Sequence, residues 1–171
     1  MNYVQKAMLS SLLLLLTACA AFMPPPVQIG ETEAQVIAKR GQPTARIPDI
    51  NGYLLEYSRN PWGQAIDMAR FDRSGKLVSY EQVLTTEKFA TIKPGVSTKT
   101  DVLRAIGHPS ETSYLPRLQL EVWTYPYKEN GVWNSMMHVH FNNNGTVNKM
   151  ENGPDLRFDR DGKFGFGFGG M

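Results

Sequence analysis

Val102-Leu103-Arg104-Ala105-Ile106-Gly107-His108-Pro109 has an earlier counterpart in Val36-Ile37-Ala38-Lys39-Arg40-Gly41-Gln42-Pro43. Each octet reads as the end of an amphipathic helix, closed by glycine, with proline two residues later. Glycine takes the left-handed conformation that closes a helix, and the proline stops the helix restarting. The second octet also has a start signal: Lys93-Pro94-Gly95 is a turn, Ser97 is a capping residue, and Val102, Leu103 and Ile106 form an apolar stripe.

The correspondence continues downstream. Leu54-Leu55-Glu56-Tyr57 and Leu120-Glu121-Val122-Trp123 are strand-like runs at the same distance from their helices. Ala69 to Leu77 and Val139 to Val147 each read as a strand entering a tight turn, where Asp or Asn and then Gly supply the unusual backbone angles. Each copy therefore reads helix, strand, strand, turn, strand. Thr85 to Ile92 reads as a short extra helix between the copies, and Phe158 to Lys163 as a weak third echo of the turn. The expected fold is α+β, a tandem repeat in which small helices pack on one face of an antiparallel three-stranded sheet. The other face of such a sheet is often left to solvent.

The N-terminus carries one charge, Lys6, then an apolar run from Ala7 to Leu16, then Leu16-Thr17-Ala18-Cys19. That order marks a secretory signal, and the run is shorter than the roughly 20 residues a spanning helix needs. Leu16-Thr17-Ala18-Cys19 resembles the lipobox of bacterial lipoproteins. The resemblance implies cleavage before Cys19, lipid on its sulfur and anchoring to a membrane. The alternative is an ordinary signal peptide cut near Ala18 or Ala20. Cys19 is the only cysteine, so no internal disulfide can form. Ala20, rather than aspartate, follows it, which in Gram-negative lipoproteins points to the outer membrane, facing the periplasm.

The expected organisation is a signal peptide over 1–18, a lipidated cysteine and proline-rich spacer over 19–27, units over 28–83 and 84–152, and a Gly/Phe-rich tail over 153–171. The whole chain has 18 Lys and Arg against 16 Asp and Glu. The cations form no stripe, which argues against a nucleic-acid partner.

Ile92 to Gly95, Ser97 to Pro109, Val122-Trp123-Thr124-Tyr125 and Phe141 to Val147 together resemble the SmpA/OmlA (BamE-like) lipoproteins. Tandem copies are also similar to the β-lactamase inhibitor protein fold, whose joined sheets form a concave binding surface. The first resemblance implies a non-enzymatic outer-membrane lipoprotein whose partner is an envelope protein of the barrel-assembly machinery. The second implies an inhibitor or sensor that binds a periplasmic enzyme.

No catalytic set and no cofactor motif stand out. The serines lack a nucleophile-elbow context. His138 and His140, two apart on a strand, share a face and could hold one metal with help from elsewhere, although no third ligand is identifiable. If Leu120, Val122 and Thr124 face the helices, Trp123 and Tyr125 lie on the open face. His138 and His140 then join them, with Tyr57, Ile66, Met68 and Arg70 from the first copy. Aromatics, Met and Arg are enriched where proteins bind proteins, so this set is the expected binding face. Core packing is the alternative for each aromatic.

Overall fold

The computed structural model describes residues 25–158. In chain order the elements are α1 (Glu33–Arg40), β1 (Ala45–Asp49), β2 (Gly52–Ser58), β3 (Ile66–Asp72), β4 (Leu77–Gln82), α2 (Thr86–Thr91), α3 (Lys99–Ile106), β5 (Glu111–Leu115), β6 (Leu120–Glu129), β7 (Trp133–Phe141) and β8 (Val147–Pro154). A single 3₁₀ turn, Leu156–Phe158, follows. Cys19, the leader and most of the Gly/Phe tail lie outside the described residues. No described helix is long and apolar enough to cross a membrane.

The two units repeat one another down to individual hydrogen bonds. Thr32 caps α1 in a capping box with Gln35, and Thr98 caps α3 in a capping box with Asp101. Each box satisfies two backbone donors that a helix start would otherwise leave open. Ser97, the expected cap, instead accepts from the Lys93 backbone N–H at 2.9 Å and closes the turn before the helix. The octet glycines Gly41 and Gly107 close the helices at φ 83° and 79°. In the hairpin turns, Asp72 accepts from the N–H groups of Ser74 and Lys76, and Asn142 from that of Thr146.

Each unit has four antiparallel strands, not three, in the orders β1-β2-β3-β4 and β5-β6-β7-β8. The unforeseen strands are the first in each sheet. β1 contains Pro48, and every residue of β5 is exposed. Neither shows the alternation by which a half-buried strand is read, and proline is tolerated only because β1 is an edge.

The two sheets share no ladder. They meet around helices. One face of the first sheet (Tyr53, Leu55, Ala69, Phe71) packs on Val36 of its own α1. Its other face (Ile47, Leu54, Ile66, Met68) joins a single core with Phe89 of α2, Val102 and Ile106 of α3, and the inner face of the second sheet. The layers thus run α1, first sheet, α2 with α3, second sheet.

The junction is polar at its rim. Arg104 of α3 donates to the Pro48 carbonyl at 3.0 Å and lies 3.7 Å from Asp49, which also pairs with Arg70. Gln64 donates to the Tyr127 carbonyl and to Asp155, and Arg157 donates to the Pro61 carbonyl at 2.9 Å. Glu56 of β2 is only 2% exposed, and it accepts from the backbone N–H of His108 at 3.0 Å and meets its Nδ1 at 2.8 Å.

Gly107 is held by two constraints, its positive φ and its neighbour. A Cβ there would come 2.9 Å from Glu56 Oε2, whereas a Cβ on Gly41 would meet nothing within 4 Å. Gly41→Ala should therefore cost about 1–3 kcal/mol, the penalty for a side chain in a backbone region confined essentially to glycine. Gly107→Ala should cost clearly more, because it also drives the buried carboxylate off its donors. Urea denaturation of both variants checks the ordering.

Candidate protein-binding face

Register decides which side chains share a face. Trp123 pairs with Val139 and Tyr125 with Met137, whereas Thr124 pairs with His138 and Val122 with His140. Trp123 and Tyr125 therefore point to the helices and His138 and His140 point away. Both aromatics are buried. Trp123 stacks at a tilt on Phe141 with centroids 4.7 Å apart, and the Tyr125 hydroxyl donates to the Gly107 carbonyl at 3.0 Å. The expected orientation of β6 is thus reversed. Trp123, Tyr125 and Tyr127 bring more apolar area to the core than Leu120 and Val122 could, and that difference was present in the sequence.

The first-copy members of the expected face are not on an open surface either. Ile66 and Met68 are buried against the second unit, and Arg70 pairs with Asp49 at the junction. Tyr57 lies on the opposite side of the sheet, with its ring 6.3 Å from that of Tyr80. Its hydroxyl is buried without a hydrogen-bond partner, and desolvation pushes its pKa up to about 12. The eight residues expected to form one face are therefore divided among the α1 side of the first sheet, the core between the units and the outer side of the second sheet.

The outer side of the second sheet carries Leu115 and Ser113 from β5, Leu120, Val122 and Thr124 from β6, Met136, His138 and His140 from β7, and Lys149 and Glu151 from β8. No described helix packs on it. At its centre Leu120, Val122, Thr124 and His140 are buried beneath their neighbours, 5–8% exposed, and Leu115 at the edge is the accessible apolar side chain. His138 Nδ1 lies 3.0 Å from Thr124 Oγ1. Lys149 donates to Glu151 at 2.8 Å, which with this cation and the histidines nearby holds the Glu151 carboxyl below its ordinary range. His140 Nε2 lies 2.9 Å from Glu151 Oε2, yet neither ring nitrogen has an aligned hydrogen bond. Burial lowers the His140 pKa, which favours the neutral ring. No group of three His, Cys, Asp or Glu side chains among the described residues is placed to hold a metal. The arrangement is a mixed apolar and polar surface on a rigid sheet, suited to contact rather than to acid–base chemistry.

Residues 81–151 match the sequence model of the outer membrane protein assembly factor BamE domain. The matched segment holds the second of the two four-stranded sheets, which is therefore BamE-like in sequence. No curated protein matches the chain. A solved structure, the DUF4309 family protein YjgB of Bacillus subtilis subsp. subtilis str. 168, is similar at 15% identity and a TM-score of 0.29, covering 71% of this chain and 76% of that one.

Trp123→Ala should act on folding, lowering stability by about 3–5 kcal/mol as buried Trp truncations do, and chemical denaturation reads this directly. His140 gives a pH signature. Its folded pKa lies below the unfolded value, so the unfolded chain binds more protons as pH falls below about 6.5. Stability should drop on acidification from pH 7.5 to 5.5, and His140→Gln should flatten that slope in a thermal melt series.

Proposed function

We propose that the protein is a lipid-anchored, non-catalytic lipoprotein of the outer membrane that works from the periplasmic side. Its part is to bind a component of the barrel-assembly machinery. The carrying observation is that the BamE-matching segment contains the sheet face over which no described helix packs. In a tandem of stacked units each sheet face needs a cover, and the outer face of the last sheet is the one left for another molecule. Exposed Leu115 and Ser113 on its edge strand, over buried Leu120 and Val122, with Lys149 and Glu151 on the far side, give it the mixed apolar and polar make-up of protein contact surfaces. Cys19 supplies the anchor in this reading, with 19–27 as a spacer to the first unit.

A photocrosslinking residue placed at Ser113 or at His138 in intact cells should capture a barrel-assembly component. The same residue at Arg73, on the far turn of the first unit, should not. Capture of a soluble periplasmic enzyme from the sheet positions would replace the assembly role by inhibition or sensing. Absence of any adduct would remove this face from the reading.

A further inference from the structure

The end of the second sheet that carries the β6–β7 turn holds an open cavity of about 570 Å³. Small-molecule sites fall within roughly 300–1,000 Å³. Its wall comes from Glu129 at the end of β6, Trp133 to Ser135 at the start of β7, and Asn152 to Asp155 with Phe158 at the end of β8 and in the 3₁₀ turn.

The wall has an aromatic surface that faces water. Trp133 is 69% exposed and Phe158 48%, although large aromatic side chains are as a rule mostly buried. An indole left open beside a cavity is a platform for a flat ligand that is apolar on one side.

The polar side chains around that platform are already set. Glu129 accepts from the hydroxyl of buried Ser135 at 2.8 Å through Oε2, which leaves Oε1 as an acceptor. Asn152 Oδ1 accepts from the Tyr127 hydroxyl at 3.1 Å, which leaves the Asn152 amide to donate. Asn134 Oδ1 is buried in the wall with no hydrogen-bond partner, and a native structure seldom leaves a buried acceptor so. The site therefore offers acceptors and donors side by side.

Charge narrows the ligand further. Among the described residues no lysine or arginine lines the cavity. Asp155 is neutralised by Arg157, whose guanidinium meets it at 2.7 Å, and Glu129 is bonded only to a neutral hydroxyl. An anion would meet the Glu129 carboxylate with no cation to offset it. A cation would use that carboxylate and the indole ring but leave the Asn152 donors unmet. A wholly apolar ligand would strand donors and acceptors alike. A pyranose ring answers every group, because its C–H face lies flat on an indole and its hydroxyls both donate and accept.

We propose that this cavity is a saccharide site, in which Trp133 is the platform for one pyranose ring and Glu129, Asn134 and Asn152 hold its hydroxyls. The site shares no residue with the sheet face described above as a protein contact, and it stands whether or not that face binds a protein.

The test is a titration of the full chain, labelled with heavy nitrogen, whose three indole N–H signals report separately on Trp62, Trp123 and Trp133. Cellotriose or tri-N-acetylchitotriose should move the Trp133 signal saturably, while the signal of buried Trp123 stays in place as a record of the fold. Trp133→Ala, a change at an exposed side chain, should abolish the heat of binding in calorimetry. Asn152→Asp keeps the acceptor for Tyr127 and removes the donor, and it should weaken binding by about threefold to tenfold, the loss expected of one hydrogen bond. The matching monosaccharides distinguish the source of the ring: much weaker binding than the trisaccharide assigns the site to a saccharide chain, and equal binding to a free sugar. A Trp133 signal that neither trisaccharide moves would overturn the proposal. So would an equal shift from glycerol at the same molar concentration, which is an adventitious additive only. Saturable binding of choline or acetate in place of the saccharides would overturn it by making the ligand an ion. A Trp133 indole already shielded from iodide in the free full chain would overturn it as well, by showing the cavity filled from within.

Discussion

A carboxylate taken almost completely out of water must find donors or lose its charge, and those Glu56 has belong to the other unit. Its place is awkward in itself, because it lies at the C-terminal end of α3, where the helix dipole repels an anion. The N–H of His108, beyond the end of the helix, offsets this, and it can do so only because Gly107 turns the chain with no Cβ in the way. The loop that ends the second unit's helix is thereby the socket for the first unit's central strand. Arg104 and Arg70 meeting at Asp49 repeat the device along the same helix. The outcome is one body with a shared core, rather than two units on a string.

That joint explains the difference between the two outer sheet faces. The first sheet presents Ile47, Leu54, Ile66 and Met68 on the side away from its own helix, and they are buried because the second unit's helices cover them. The corresponding positions of the second sheet carry Val122, Thr124, His138 and His140. Met68 and Arg70 align with His138 and His140, so one structural position is apolar or junctional where the other unit packs on it and polar where no described helix does. A terminal repeat with a more polar outer surface is what stacked architectures need for solubility, and some of the polarity of this face has that simpler origin. Leu120 and Val122 at its centre do not.

The repeat was legible in the sequence because its signals are local. Gly41 and Gly107 before prolines, and the Asp72 and Asn142 turns, fix backbone angles that few other residues adopt, and these mark the ends of elements wherever they fall. What was not legible depended on partners. β5 has no buried residue to reveal it, and β1 is read through Pro48 as something other than a strand. β6 is apolar on both of its alternations, so periodicity identifies a strand but does not say which set faces the helices. Ile66 and Met68 were read as exposed because a unit considered alone has an open face. Only the second unit's packing shows that the first has none.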